Sequence, residues 1–516
     1  MKNKKGFTLI ELLAVIIILA VIALIATPIV LNVVDNARKS ANKDSAYGLL
    51  DSAKLYYMES LLDESKSLSG NLIYKINVSG RKPDSGEVYV NNKGEIALSV
   101  VYDKVCFTKN YEDADLTESD DIENCIVTVP RELYKDSVLN GADPELKDNL
   151  VAVTINTDGT VKKADIYSEW YNYTNKTWAN AVLLNGNDTY SAGDTIEENN
   201  IKAYYVWIPR YKYQIFYDGV NDTTKQLINI EFENKDTTKS NSTTKDSWLT
   251  HPAFTFGDTE LNGIWVGKFE LTGDTTNPTI KPNKTSLRSA NVSTLFLTTQ
   301  KLSTNTAMLK NMEWGAIAYL TTSIYGQGLN EVRINNSSTY TTGCAASVEN
   351  GASYTGCEKA YNTTTGYLAS TTGNISGIYD MSGGSYEYVM GVMEDSLNSN
   401  TPSSGYSAQY NSGFSGKNLD DGTTTTGVSF PESKYYDIYT YGTTNANGAA
   451  YSRGHLGDAT TETKGWNGDY KNFVGSSYPW FHRGGYYGNG TSAGVFSFDD
   501  PFGHASINFS ARATLR

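Results

Sequence analysis

Met1-Lys2-Asn3-Lys4-Lys5-Gly6-Phe7-Thr8-Leu9-Ile10-Glu11-Leu12-Leu13 opens the chain, and its reading decides the fold that follows. Lys2, Lys4 and Lys5 make a positive flank of the kind that stays on the cytoplasmic side. From Phe7 to Val34 the only charged residue is Glu11. As a helix this run is about 40 Å long, enough to cross a bilayer. A secretory signal peptide does not fit, because no small-residue cleavage site follows an apolar core of the usual length. A plain membrane anchor leaves Glu11 unexplained, since a carboxylate inside lipid is costly.

Gly6-Phe7-Thr8-Leu9-Ile10-Glu11 resembles the processing signal of type IV prepilins and type II secretion pseudopilins. The resemblance implies that a prepilin peptidase cuts after Gly6 and that Phe7 becomes the methylated N-terminus. It also implies that Glu11 pairs with the terminal amine of a neighbouring pilin subunit, so that its desolvation is compensated on assembly. Pro28 stands where pilin helices commonly kink. The expected course is membrane insertion first, then an extracellular pilus on the cell surface.

Beyond Val34 the helix turns amphipathic. Leu49, Leu50, Ala53, Tyr57 and Leu61 recur at three- and four-residue steps, and Ser67-Leu68-Ser69-Gly70 reads as its end. Strands are expected over 72–78, 86–90 and 95–102, closing a small antiparallel sheet by residue 130. The run from Val101 to Cys106, with Cys125 beyond it, resembles the small sheet of Gram-positive pilins. In an exported chain, Cys106 with Cys125 and Cys344 with Cys357 read as two local disulfides, the alternative being four buried thiols.

The net charge of -14 argues against a nucleic-acid partner, which needs clustered Lys and Arg. Tyr is abundant at 37, while Pro (12) and His (4) are scarce, a balance that suits a loop-rich β domain with amphipathic contact area. Residues 131–203 read as a connector holding a hairpin, 152–155 with 161–166, around Thr157-Asp158-Gly159. From residue 204 to 516 a Trp- and Gly-rich domain is expected, with one clear helix at 309–320. The fold class is α+β.

Three segments of that domain carry a second resemblance: Gly263-Ile264-Trp265-Val266-Gly267-Lys268-Phe269-Glu270-Leu271-Thr272, then Gly377-Ile378-Tyr379-Asp380-Met381-Ser382-Gly383-Gly384-Ser385-Tyr386-Glu387-Tyr388-Val389, then Arg483-Gly484-Gly485-Tyr486 with Ser510-Ala511-Arg512. In content and order they are similar to the formylglycine-generating-enzyme domain, a variant of the C-type lectin fold. Gly384 replaces the usual Asn, and Tyr386 and Tyr388 replace Trp. The catalytic members use two late cysteines, and no cysteine follows Cys357 here, so no enzyme activity is expected. The resemblance also implies a calcium site at Asp380, Gly383, Ser385 and Glu387, whose hard oxygens on a tight turn suit that ion.

Residues 466–516 resemble the variable region of proteins diversified by retroelements. Arg483, Gly484, Gly485, Gly494, Phe496, Phe498, Gly503 and Arg512 read as scaffold. His482, Tyr487, Asp499, Asp500, Phe502, His504, Ile507, Asn508 and Phe509 read as ligand-binding positions, because large and chemically mixed side chains suit a contact face. The expected function is a minor or tip pilin displaying an adhesin for an extracellular protein or glycan. The alternatives are a pilin-anchored enzyme and a pseudopilin of a secretion or DNA-uptake system.

Overall fold

A computed structural model describes residues 8–516, apart from 64–65, 67, 69, 79, 92, 128–132, 148, 218–223, 245, 350, 352–353, 395–410, 418–423, 441–454 and 476–477. The chain divides into two compact units, Met1–Leu133 and Tyr134–Arg516. Together they make an α+β protein: a long N-terminal helix and many small antiparallel sheets.

In the first unit, α1 runs from Leu9 to Ser60 and continues through Pro28. Its start is fixed locally. Thr8 is the N-cap, and the Glu11 carboxylate accepts from the Thr8 backbone N–H at 2.8 Å and from its hydroxyl at 2.9 Å, a capping box. The apolar N-terminal half is exposed, and the helix is long and apolar enough to cross a membrane. The later half buries Ala46, Leu49, Leu50 and Ala53 against a four-stranded sheet of β1 (Ser85–Val90), β2 (Ile96–Tyr102), β3 (Val105–Lys109) and β4 (Thr117–Ser119), paired in that order. Val88, Val90, Leu98, Val100 and Phe107 supply the facing core.

Two sequence expectations fail in this unit. The helix stops at Ser60, whose hydroxyl bonds the Tyr57 carbonyl, so Leu61 lies outside it and is exposed. Residues 72–78 form a turn rather than a strand. Leu72 and Ile76 are both buried four residues apart, and the Ile76 N–H reaches the Leu72 carbonyl at 3.0 Å, which is helical spacing.

The second unit is built on a seven-stranded antiparallel sheet. In chain order its strands are β5 (Leu150–Ile155), β6 (Val161–Lys163), β7 (Asn180–Leu184), β8 (Ile201–Pro209), β9 (Gly263–Gly267), β10 (Thr306–Met308) and, at the C-terminus, Ala513–Leu515. The spatial order is β10, the C-terminal strand, β9, β8, β7, β5, β6. The segment read as a connector therefore supplies three strands of the central sheet. Tyr171, Tyr173 and Trp178 are buried in the same core as Trp207 and Trp265, and the Tyr173 hydroxyl donates to the Trp207 carbonyl at 2.7 Å. The fully buried Lys268 ammonium locks the arrangement, donating to Asn180 Oδ1 (2.9 Å) and to the carbonyls of Ile375 (2.6 Å) and Gly377 (2.8 Å). The hairpin turn at Gly159, in the left-handed region, forms as expected between β5 and β6.

A second sheet is centred on β11 (Tyr386–Glu394). It pairs in parallel with β12 (Asp437–Thr440) on one side and antiparallel with β13 (Trp480–Gly484) on the other; β13 then pairs with β14 (Gly494–Asp499). A last short strand, Phe509–Ala511, also runs parallel to β11. The helix expected at 309–320 spans Asn311–Thr321 and is buried along its length.

Candidate functional site

The three segments of the second resemblance converge on one side chain. Arg512 is fully buried and donates to the Gly267 carbonyl at 2.7 Å, the Tyr379 carbonyl at 2.9 Å and both carboxylate oxygens of Glu387 at 3.0 and 2.5 Å. Glu270 and Asp380 lie in the same buried region. Asp380 accepts from Asn335 Nδ2 and from the Gly343 N–H, both at 2.8 Å, and Glu270 accepts from the Ser385 N–H at 2.8 Å. Burial pushes all three carboxyls up, Glu387 to about 7, and Asp380 and Glu387 push Glu270 further. Glycine at 384 also has a cause here: φ is +71°, and a Cβ would stand 2.5 Å from Glu270 Oε1.

That geometry bears on calcium. Gly383 and Ser385 flank the turn, but both oxygens of Glu387 are occupied by the Arg512 guanidinium, which supplies the positive charge itself. Among the described residues no group of three or more His, Cys, Asp or Glu is placed to hold a metal ion. Of the four positions expected to hold calcium, Asp380, Gly383, Ser385 and Glu387, it is Glu387 whose side-chain oxygens are already taken, by Arg512. The arrangement is a buried ion-pair network that joins distant segments.

The nine positions read as ligand-binding gather at the end of the second sheet, at different depths. His482 on β13 is 3% exposed, and burial lowers it to about 4. It is a floor residue, packed between the rings of Tyr386 and Phe509, rather than a contact residue. Ile507 is 67% exposed, while Tyr487, Asp499, Asp500, Phe502, His504, Asn508 and Phe509 are half-buried. Asn508 is held by the hydroxyl of Tyr340, whose ring lies 3.8 Å beneath the Arg288 guanidinium. Asp499 pairs with His482 across the strands. Burial and the Asp499 carboxylate push Asp500 up to about 7, and Asn472 Nδ2 donates to it at 2.6 Å.

The structure adds aromatic residues that the sequence reading missed, and together they form an unbroken series of ring contacts. Tyr354 meets Tyr487 at 5.9 Å, Tyr487 meets Tyr486 at 5.1 Å, and Tyr486 stacks on Tyr386 at 5.1 Å. Tyr386 stacks on His482 at 4.1 Å, and His482 meets Phe509 at 5.0 Å. Phe509, His504, Phe502 and Tyr478 follow at 5.5, 5.6 and 4.3 Å. The two ends, Tyr354 and Tyr478, are 48% and 42% exposed. Offset and edge-on pairs of this kind add to area burial and hold each ring in place. Tyr386 and Tyr486 stand in the segments of the second resemblance, while for Tyr354 and Tyr478 the signal was the abundance of Tyr.

All four cysteines are bonded in the expected pairs, Cys106–Cys125 and Cys344–Cys357, with Cα separations of 5.6 and 5.5 Å. At the other end of the chain, Glu11 lies on the exposed apolar helix, held by Thr8; Gly6 and Phe7 are outside the described residues.

Residues 1–27 match the family model of the prokaryotic N-terminal methylation motif. No curated protein matches the chain. With the exposed apolar helix, the motif marks a type IV pilin-like or pseudopilin-type N-terminus, suited to processing by a prepilin peptidase, membrane insertion and assembly with other pilins.

Proposed function

We propose that this chain is a minor or tip subunit of a type IV pilus whose unit 134–516 is a C-type-lectin-like binding domain, displayed outside the cell as an adhesin. The observation that carries the proposal is the aromatic series from Tyr354 to Tyr478. It is a continuous series of ring contacts around residues 480–510, buried at His482 and exposed at both ends. Rings held in place lose little entropy when a partner lands on them, which is why aromatic residues dominate contact faces. The convergence of residues 263–272, 377–389 and 512 on one buried guanidinium supports the fold assignment.

The test is the triple variant Tyr487→Ala, Phe502→Ala, His504→Ala. It should keep the thermal transition of the parent and lose adhesion of displaying cells to protein-coated and glycan-coated surfaces. Unfolding of the variant would make these core residues, and retained adhesion would place the site elsewhere.

A further inference from the structure

The Phe502 end of the binding face carries a pair of carboxyl groups that the aromatic series does not account for. Asp499 ends β14 directly opposite His482 on β13, so the two side chains stand on the same side of the sheet. Asp500 follows, and the two carboxyls lie within hydrogen-bonding reach of each other. Among the described residues each accepts a single hydrogen bond. The Asp500 N–H donates to Asp499 Oδ1 at 2.9 Å, and Asn472 Nδ2 donates to Asp500 Oδ1 at 2.6 Å. Among the described residues no lysine or arginine pairs with either carboxyl. A carboxylate has about four lone-pair sites, so most of the accepting capacity of the pair is unspent.

The groups around the pair are acceptors and rings. The Nδ1 atoms of His482 and His504 are buried and have no hydrogen-bond partner among the described residues. Burial lowers both imidazoles, His482 to about 4, so each ring is neutral at pH 7 and keeps one acceptor nitrogen. The Asp499 carboxylate is close enough to act on His482, Tyr386 and Tyr470. Tyr470 and Asn472 lie on a segment that runs along β14: the Phe498 N–H donates to the Tyr470 carbonyl at 3.0 Å, and the Asn472 N–H donates to the Phe498 carbonyl at 2.9 Å. Lys471, between them, directs its ammonium toward Gly465. The Tyr470 ring is exposed, and the Phe502 and Tyr478 rings, 4.3 Å apart, begin two residues beyond Asp500.

From this geometry we infer that the Asp499–Asp500 pair, with His482, His504 and Tyr470, takes the guanidinium of an arginine side chain presented by a protein partner. A carboxylate or phosphate group would add negative charge beside the pair. An aliphatic side chain would desolvate the carboxyls and give them no donor. A guanidinium brings five donors in one plane to a place where every unspent group is an acceptor, and its flat face stacks on exposed rings. An ammonium brings three donors around a point and has no face to stack. The net charge of -14 favours encounter with a cationic partner. The inference rests on the reading of this domain as a binding module, and it names the chemistry of the partner.

The experiment is saturation-transfer NMR on the full chain in detergent, with acetyl-Gly-Arg-Gly-amide, acetyl-Gly-Lys-Gly-amide and the neutral citrulline analogue as probes. The arginine peptide should receive saturation, and the other two should bind about tenfold more weakly or not at all, because each loses charge-assisted donors or the planar fork. Asp499→Asn with Asp500→Asn should weaken the arginine peptide by about tenfold or more. Asp188→Asn with Glu197→Gln removes the same charge at exposed positions elsewhere and should leave binding unchanged. Binding to the parent should tighten by about tenfold from pH 6 to pH 8, because burial and the Asp499 carboxylate push Asp500 up to about 7 and a cation takes its ionised form. The pH series and the citrulline comparison use the parent protein, so they decide the matter whether or not the paired Asn variant folds. Equal binding of the three peptides, equal weakening by both pairs of substitutions, binding indifferent to pH, or displacement of the peptide by calcium chloride overturns the inference. The two readings fail separately. If the arginine peptide does not bind the parent while Tyr487→Ala, Phe502→Ala, His504→Ala still abolishes adhesion, the arginine site falls and the binding face stands. Peptide binding to the parent with adhesion intact in that triple variant is the reverse case.

Discussion

Glu462 offers a sharp test of how the second unit holds its buried charge. Its side chain is 1% exposed. One oxygen accepts from the Gly457 N–H at 2.8 Å and from the Tyr319 hydroxyl, while the other has no hydrogen-bond partner among the described residues. Burial, then the nearby Asp458 carboxylate, pushes Glu462 up to about 8, against 4.5 for the free side chain. The folded state therefore keeps a proton that the unfolded chain has lost. Its stabilising contribution is fully present below about pH 4.5 and is lost as pH rises through 8. At roughly 1.4 kcal/mol per pKa unit, the loss between pH 5 and pH 8 comes to about 3 kcal/mol. Glu462→Gln mimics the protonated form and cannot ionise. All eight tryptophans lie between Trp170 and Trp480, so tryptophan fluorescence during denaturation reports on the second unit alone. Urea unfolding of the full chain in detergent should show parent and variant within about 1 kcal/mol at pH 5. At pH 8 the variant should lead by about 3 kcal/mol. A constant difference at both pH values would mean that Glu462 is already ionised in the fold, and the burial argument would be wrong.

Three further outcomes are expected. Mass spectrometry of assembled material should find a mature chain that begins at methylated Phe7, and Glu11→Ala should be processed normally yet recovered poorly in pili; an uncut chain would refute the first point. Arg512→Met should cost about 3–5 kcal/mol in the same fluorescence assay, because it leaves the Glu387 carboxylate buried without its partner, and a cost under about 1 kcal/mol would show that the network relaxes. Non-reducing peptide mapping should recover Cys106–Cys125 and Cys344–Cys357, each contributing about 3 kcal/mol by closing a short loop; thiols that alkylate in the native protein would contradict both pairings.

Some features of this protein are local, and the sequence alone determines those. The N-terminal helix follows from an uninterrupted apolar run and a capping pair three residues apart, Thr8 with Glu11, neither of which needs a distant partner. The disulfides join cysteines 19 and 13 residues apart, and the hairpin at Gly159 needs only its own turn. Other features depend on which strands lie side by side, and only the tertiary structure decides those. Residues 131–203 read as a connector because buried Tyr171, Tyr173 and Trp178 are spaced among Asn, Thr and Lys; their core partners, Trp207 and Trp265, are tens of residues away. Glu387 reads as a metal ligand until Arg512, 125 residues on, is seen to hold both its oxygens. His482 reads as a contact residue until Tyr386 and Phe509 close over it. Tyrosine is the underlying reason for the ambiguity in the binding face. Its ring suits a core and its hydroxyl suits water, so composition announces that contact area exists, and only strand pairing decides which rings form the surface.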